Sequence, residues 1–197
     1  DADHASGLVE VLERYDVENV VYSDIANNKE LYKAWEEAVT KEGANVIDPF
    51  AGKVIDLGDG ATLTVVYPPE SIIGQEVEKT NNSSVVSILK YKELEVLLTA
   101  DIETKGERAI LLENINIDAD VLKIGHHGSK TSTSEEFLSA ITSDIAVIQV
   151  GAKNRYGHPT PEVLSRLENF GIKYYRNDTD GDIKLVSDGM NYQILNY

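Results

Sequence analysis

The chain has 197 residues, 42% hydrophobic and 26% charged, enough to bury a core and to make one domain or slightly more. A formal net charge of −16 repels polyanions at long range and argues against a groove built from Lys and Arg. Phosphate chemistry stays open, because divalent cations can supply local positive charge, whereas zero cysteines exclude disulfides and thiolate metal sites.

No run approaches the ~18 consecutive apolar residues of a membrane span, so a soluble piece is expected. A first residue that is Asp rather than Met points to a processed product or a fragment. Strand and helix signals then alternate. Residues 18–22 read as a short buried strand, and 28–43 as a helix with Leu31, Ala34, Trp35 and Ala38 on one stripe and Gly43 as its stop. Residues 46–47, 53–57 and 61–67 are strand-like, the last two joined by a hairpin turn at Gly58-Asp59-Gly60 and ended by Pro68-Pro69. Residues 70–82 lack periodicity and are expected to form a loop lining a site. Strands at 84–90 and 95–99, a helix at about 105–113 and an apolar strand at 119–124 follow. Thr133-Ser134-Glu135-Glu136 caps a helix expected to run to Thr142, before a buried strand at 145–150. Thr160-Pro161-Glu162 starts a helix ending at Gly171, and strands near 173–175, 182–186 and 191–195 close the chain. This order predicts an α/β protein folded as one unit, residues 1–197.

The four histidines fall in three short polar clusters: Asp3-His4, His126-His127-Gly128-Ser129, and 154–159 with His158 inside. Imidazoles used for packing would be scattered through apolar stretches. Grouped with carboxylates and glycines, they point to metal ligation and proton transfer near neutral pH. Asp101 directly follows Leu97-Leu98-Thr99-Ala100, a place that also suits a helix cap or turn former. Ile124-Gly125-His126-His127-Gly128-Ser129 is more specific, since two adjacent imidazoles cannot both face an apolar core and the glycines permit a tight turn. One imidazole would bind metal while the other orients it or meets substrate. Asn154-Arg155-Tyr156-Gly157-His158-Pro159 is either a capped loop before a helix or a segment whose His158 touches a phosphate or protonates a leaving group. Asn177-Asp178-Thr179-Asp180-Gly181-Asp182 has the composition of a calcium loop without the spacing or distal Glu of an EF-hand, so a β-turn is expected. Ser129 lacks the surroundings of a serine nucleophile. Asp101, His126 and the segment after Val150 all sit where a strand ends, so ligands from distant parts of the chain can converge there.

Together these residues resemble the metallo-β-lactamase fold, and within it the C-terminal hydrolase domain of the ComEC/Rec2 competence proteins. Asp1-Ala2-Asp3-His4-Ala5-Ser6-Gly7-Leu8 looks like the second half of that family's His-Pro-Asp-Ala-Asp-His signature, followed by a helix. Tyr67-Pro68-Pro69, 81–86, 97–101, 119–130, 154–159 and 175–183 match in order, and 119–129 is the most specific part. The resemblance implies a four-layer αββα sandwich, here lacking its first strands, with an exposed sheet edge prone to aggregation or dimerisation. It also implies two divalent ions, Mn²⁺ or Zn²⁺. Asp3 and His4 would bind one, Asp101 would bridge both, and His126 would complete the set. Asn81 and Asn82 stand where many relatives have a further histidine, which implies weaker or more selective metal binding. Asp1 stands where other branches have the second signature histidine, and the first would lie two residues earlier. Ala100 replaces a usual glycine.

By the same resemblance the reaction is phosphodiester hydrolysis, with two ions lowering the pKa of water and clamping the reacting oxygens. Asp3 would also take the proton from the attacking water, and His158 would serve the phosphate or the leaving group. Asn82, His127, Ser129, Lys130, Asn154 and His158 would contact substrate. The implied substrate is DNA, one strand of which is degraded during uptake, and the implied partner is a membrane channel domain in a parent protein. The implied location is extracytoplasmic, either tethered to the membrane or secreted. Two rivals stand beside this reading. A small phosphoesterase acting, for example, on phosphorylcholine decorations of a cell wall shares the His-His-Gly pattern and suits the acidic charge. A binding module with a degenerate site would account for the missing histidine and for Asn81-Asn82.

Overall fold

The computed structural model describes residues 2–196, the side chains of Ala2, Asp3 and Asn196 excepted. Helix α1 (Ala2–Arg14) leads into strand β1 (Asn19–Val21), helix α2 (Glu30–Glu42) and strand β2 (Asn45–Ile47). Gly43 takes the left-handed conformation at φ 74° and donates its N–H to Val39 O, which stops α2 where the glycine predicts. Leu12, Val20, Trp35 and Val39 are buried together, with the Tyr22 ring edge-on to Trp35. This small core joins α1 and α2 to β1, which pairs in parallel with β2.

The main sheet has seven strands. β3 (Val54–Gly58), β4 (Ala61–Tyr67), β5 (Val86–Tyr91) and β6 (Leu94–Leu98) meander antiparallel, and β7 (Val121–Lys123), β8 (Ile145–Ile148) and β9 (Lys173–Arg176) continue it in parallel. Parallel neighbours need crossovers, and helices supply them: α3 (Thr104–Leu112), α4 (Glu135–Leu138) and α5 (Pro161–Asn169). Because side chains alternate along a strand, Leu97 and Leu122 face these helices and pack with Ile110, Phe137, Leu138, Val163 and Leu167. Their neighbours Val96 and Val121 are buried on the opposite face. After β9, a short helical turn α6 (Asn177–Asp180) precedes the hairpin of β10 (Ile183–Ser187) and β11 (Tyr192–Asn196). Glu93 N–H and Lys92 Nζ, in the β5–β6 turn, donate to Gly189 O and Asp188 O of that hairpin.

Three local expectations differ from what is found. Residues 70–82 are not wholly irregular, since Thr80–Ser83 close a 3-10 turn. The helix expected to reach Thr142 ends at Leu138, and residues 140–141 continue only as i→i+3 turns. Its continuation is diverted because Asp118 Oδ1 accepts both the N–H and the hydroxyl of Thr142, at 2.7 and 2.6 Å. Residues 177–180 make one helical turn rather than a β-turn. Asp180 accepts Arg176 N–H, and Asp178 accepts the Arg176 guanidinium through both oxygens, so these acids cap their own backbone and strand.

The Asp118 clamp gives a first prediction. The Thr142 hydroxyl and N–H hold its carboxyl below the ordinary range. A depressed pKa contributes stability above the unfolded value, and that contribution is lost as pH falls through the folded one. Asp118→Ala is expected to cost about 1 kcal/mol near neutral pH, the gap narrowing in acid, as urea melts of both proteins would show.

Candidate active site

The parallel half of the sheet aligns three strand ends. Leu98, Lys123 and Val147 are in register across β6, β7 and β8, so the segments that follow leave the sheet at one edge. Such an edge, beyond the carboxyl ends of parallel strands, is where open α/β sheets place their ligands. The Asp101 segment comes from β6, the His126–His127 turn from β7 and the His158 loop from β8. Backbone bonds lock them together: His126 N donates to Ala100 O, Ile124 N to Val147 O and Thr160 N to Gly128 O.

At this edge α1 delivers His4, whose Nε2 lies 2.9 Å from Asp101 Oδ2. His127 faces the other oxygen, with Nε2 3.6 Å from Asp101 Oδ1. Its Nδ1 lies 2.6 Å from Gln149 O. A carbonyl only accepts, so this contact places the proton on Nδ1 and turns Nε2 toward the carboxylate. One ligand atom from each of His4, Asp101 and His127 lies within 4.8 Å of the others. Burial works to raise the Asp101 carboxyl, but the hydrogen bond from His4 and the charges of His4, His127 and His126 outweigh it and hold the group below its ordinary value.

His126 occupies a second, adjoining cluster. Asn81 Nδ2 lies 3.4 Å from its ring nitrogens, and Glu103 Oε1 is 3.8 Å from Nδ1. Glu103 also accepts from Lys79 Nζ at 3.2 Å and from the Thr131 hydroxyl at 3.3 Å. Burial would raise the Glu103 carboxyl, yet Lys79, Asn81 and His126 pull it below its usual range. The His158 ring stands 5.8 Å from that of His126. Burial, and then the neighbouring His126 and His127, push its pKa below the ordinary imidazole value, so the ring is neutral near pH 7. Its Nδ1 is buried without a hydrogen-bond partner.

Strain is concentrated here. Ala100, His126, His127 and Thr133 take φ of 47°, 46°, 54° and 54°, a region that costs a side chain about 1–2 kcal/mol per residue. For Thr133, β-branched and buried, the compensation is visible. The buried Glu107 carboxylate accepts the N–H groups of Thr133 and Ser134, and Arg166 donates to Ser132 O and Thr133 O. Ser132 Oγ in turn donates to Gly125 O, which ties the strained loop to the histidine turn. Half-buried Lys123 donates to Ile124 O at 2.9 Å and to Ala100 O at 3.4 Å, joining the segments that carry His126 and Asp101.

The structure thus brings together His4, Asp101 and His127, with His126 and His158 alongside. The Asp3 side chain and Asp1 lie outside the described residues. Asn82 has a buried Oδ1 without a hydrogen-bond donor, and its neighbour Asn81 is the one that reaches His126. The Ser129 hydroxyl pairs with Thr131, and Lys130 is exposed. Asn154 closes its own loop, giving Nδ2 to Gly151 O and His158 O and accepting His158 N–H. Glu103, Lys79, Thr131, Glu107 and Arg166 were missed by sequence reasoning. Only Glu103 left a signal, since it stands two residues beyond Asp101 in a short run after an apolar strand.

The site opens into a cleft of about 480 Å³. Asp101, Asn81 and His4 line it together with the apolar Leu8, Leu12, Val20 and Trp35.

A divalent cation fits these residues. Asp101 Oδ1 is buried without a hydrogen-bond donor, a cost that coordination would remove. Two imidazoles and a carboxylate, with no thiolate, form a donor set suited to Zn²⁺ or Mn²⁺. No helix among the described residues is long and apolar enough to cross a membrane.

The chain is similar to several proteins, these three among them. It is 36% identical over 148 residues to ComE operon protein 3 of Bacillus subtilis, and 34% identical over 127 residues to competence protein ComA of Neisseria gonorrhoeae. It is 36% identical over 105 residues to Recombination protein 2 of Haemophilus influenzae. These matches cover 75%, 64% and 53% of the chain but only 18%, 18% and 13% of the relatives, so the chain spans less than a fifth of their length. Residues 1–152, which include His4, Asp101 and both histidines of the β7 turn, match the Metallo-beta-lactamase superfamily. With its mixed central sheet and a His–Asp–His cluster at the strand ends, the chain belongs to the metallo-beta-lactamase superfamily.

Proposed function

We propose that the chain is a metal-dependent phosphodiester hydrolase acting on DNA. The observation that carries this reading is the convergence of His4, Asp101 and His127 within 4.8 Å, with the His158 ring 5.8 Å from that of the adjoining His126. His4, Asp101 and His127 would hold a divalent cation, with Asp3 as a further ligand. Were two ions bound, Asp101 and His126 would be among the residues that hold them. Such ions, when bound, supply Lewis-acid polarisation of the phosphate and acidify water.

The chain's own residues do the rest. Gln149 O fixes the tautomer of His127 and so the direction of its Nε2. Asp3 takes the proton of the attacking water. His158 binds a phosphate oxygen or, in its protonated form, gives its proton to the leaving oxygen. Asn154 holds the loop that presents His158, and Lys130 adds positive charge at the rim. Asn82 and Ser129 complete the substrate contacts. The competence names of the relatives support DNA as the substrate. As the resemblance to competence proteins implies, the parent protein would join a membrane channel domain to an extracytoplasmic hydrolase.

Protein loaded with Mn²⁺ or Zn²⁺ is expected to hydrolyse both bis(p-nitrophenyl) phosphate and DNA. Turnover of the small diester without DNA cleavage selects the small phosphoesterase, a reading favoured by the net charge of −16. A metal-loaded protein that turns over neither is a binding module, and the hydrolase reading is then wrong.

A further inference from the structure

The loop that carries His158 has a feature that the hydrolytic reading does not use. Tyr156 is 79% exposed, although an aromatic ring of this size contributes most when buried. Its ring lies nearly parallel to that of His158, at an interplanar angle of 19° with centroids 5.8 Å apart. The His158 ring meets that of His126 at 5.8 Å, His126 meets His127 at 6.4 Å, and His127 meets His4 at 5.3 Å. A row of rings therefore runs from solvent to the His–Asp–His cluster, with Tyr156 as its outermost member.

The loop is rigid where this ring is mounted. Asn154 N–H and Nδ2 both donate to Gly151 O, and its amide bonds to both backbone groups of His158. Thr160 N–H, two residues on, is fastened to Gly128 O of the histidine turn. An exposed ring on a clamped loop loses little conformational entropy when a partner lies on it. The charge around it departs from that of the whole chain. Lys153 and Arg155 lie three residues and one residue before Tyr156, both are exposed, and neither forms an ion pair among the described residues. On a chain of net charge −16, two unneutralised cations beside a presented aromatic ring match a ligand with a flat π-face and an anionic backbone.

We propose that Tyr156 is a stacking platform for a nucleobase of single-stranded nucleic acid, with Lys153 and Arg155 on the adjoining phosphates. The inference rests on the phosphodiesterase reading of the site and names the form in which its substrate is held. A base seated on Tyr156 steers the neighbouring phosphate along the row of imidazoles toward Asp101. Stacking tolerates every base, so the platform confers a preference for unpaired strands rather than for sequence.

The test is fluorescence anisotropy with a short labelled oligodeoxythymidylate of uncleavable phosphorothioate backbone, set beside an abasic strand of equal length. Tyr156→Ala is expected to weaken the base-bearing strand roughly 5- to 150-fold and to leave the abasic strand unaffected. Tyr156→Phe, which keeps the π-face, should bind like the wild type. Equal affinity of wild type and Tyr156→Ala for oligothymidylate overturns the platform, as does no binding by the wild type. Tyr156-dependent binding of phosphorylcholine with none of oligothymidylate also overturns it, and gives the ring to a quaternary ammonium instead. Turnover of bis(p-nitrophenyl) phosphate by the wild type, measured alongside, separates the two failures. With turnover present and affinity unchanged, only the platform falls; without turnover, the hydrolase reading falls first.

Discussion

Replacing Asp101 by Asn is expected to strip the protein of bound metal and to lower diester hydrolysis on the order of 10²–10⁴-fold. That range corresponds to the several kcal/mol of transition-state stabilisation a divalent ion supplies. The effect is large because one carboxylate serves both imidazoles, with oxygens 2.9 Å from His4 Nε2 and 3.6 Å from His127 Nε2. Asparagine has nearly the same shape, so the strand end and the His126 N–H to Ala100 O bond survive while the charge and one acceptor are lost. In the metal-free protein the substitution has a pH signature. His4, His127 and His126 overcome burial and keep Asp101 ionised below its ordinary range. A depressed pKa contributes stability above the unfolded carboxylate value of about 3.9 and loses it as pH falls through the folded value. Thermal melts of wild type and Asp101→Asn, both without metal, should therefore converge in acid. Elemental analysis and turnover decide the functional part, and a variant that keeps its metal and a rate within about tenfold of wild type would remove Asp101 from the centre of the site.

Gly128→Ala is expected to be the most damaging single methyl group in the chain. Gly128 sits at φ +82°, and an added Cβ would lie 2.5 Å from Pro159 Cβ and 2.9 Å from Pro159 Cα. Neither contact can be relieved by turning a flexible side chain, because both atoms belong to a ring fixed to the backbone. The histidine turn and the His158 loop would have to separate, breaking the Thr160 N–H to Gly128 O bond. The expected loss is about 3 kcal/mol or more, or roughly 6–12 °C in Tm for a chain of this size. Metal content should fall with it, since His127 precedes the moved residue. Gly151→Ala is the matched control. It stands in the same neighbourhood with nothing within 4 Å of an added Cβ and should stay within about 0.5 kcal/mol of wild type. Similar melting of the two variants would show that the turn and the loop are not packed as described.

Much of this was legible in linear order, and the reason differs by element. The strands at 61–67, 119–124 and 145–150 announce themselves by apolar runs bounded by turn residues, because burial on both faces of a sheet leaves little choice of residue. Gly43 and Thr160-Pro161 mark helix ends because the backbone states they supply are local. Helix α1 was expected only from the resemblance of residues 1–8 to a signature, although Ala5, Leu8, Val9 and Leu12 recur at helical spacing and Val9 and Leu12 enter the small core. The short helix after Ser134 stops early because Asp118, distant in sequence, captures Thr142.

The site divides along the same line. That His126, His127 and His158 would lie near Asp101 followed from their grouping at strand ends, since residue type and strand register are written locally, whereas His4 was expected there only from the resemblance. Which imidazole turns toward the carboxylate did not follow, because His126 and His127 are adjacent and both take left-handed backbone. Packing settles it: Gln149 O, at the end of β8, holds Nδ1 of His127, while Asn81 and Glu103 border His126. Glu107 and Arg166, which steady the strained Thr133, are distant in sequence from the residues they hold. Composition and order determine that an α/β sheet forms and where its polar ends fall. Only the tertiary structure decides the direction of each ring and carboxylate, because that depends on hydrogen-bond partners brought together from segments far apart in the chain.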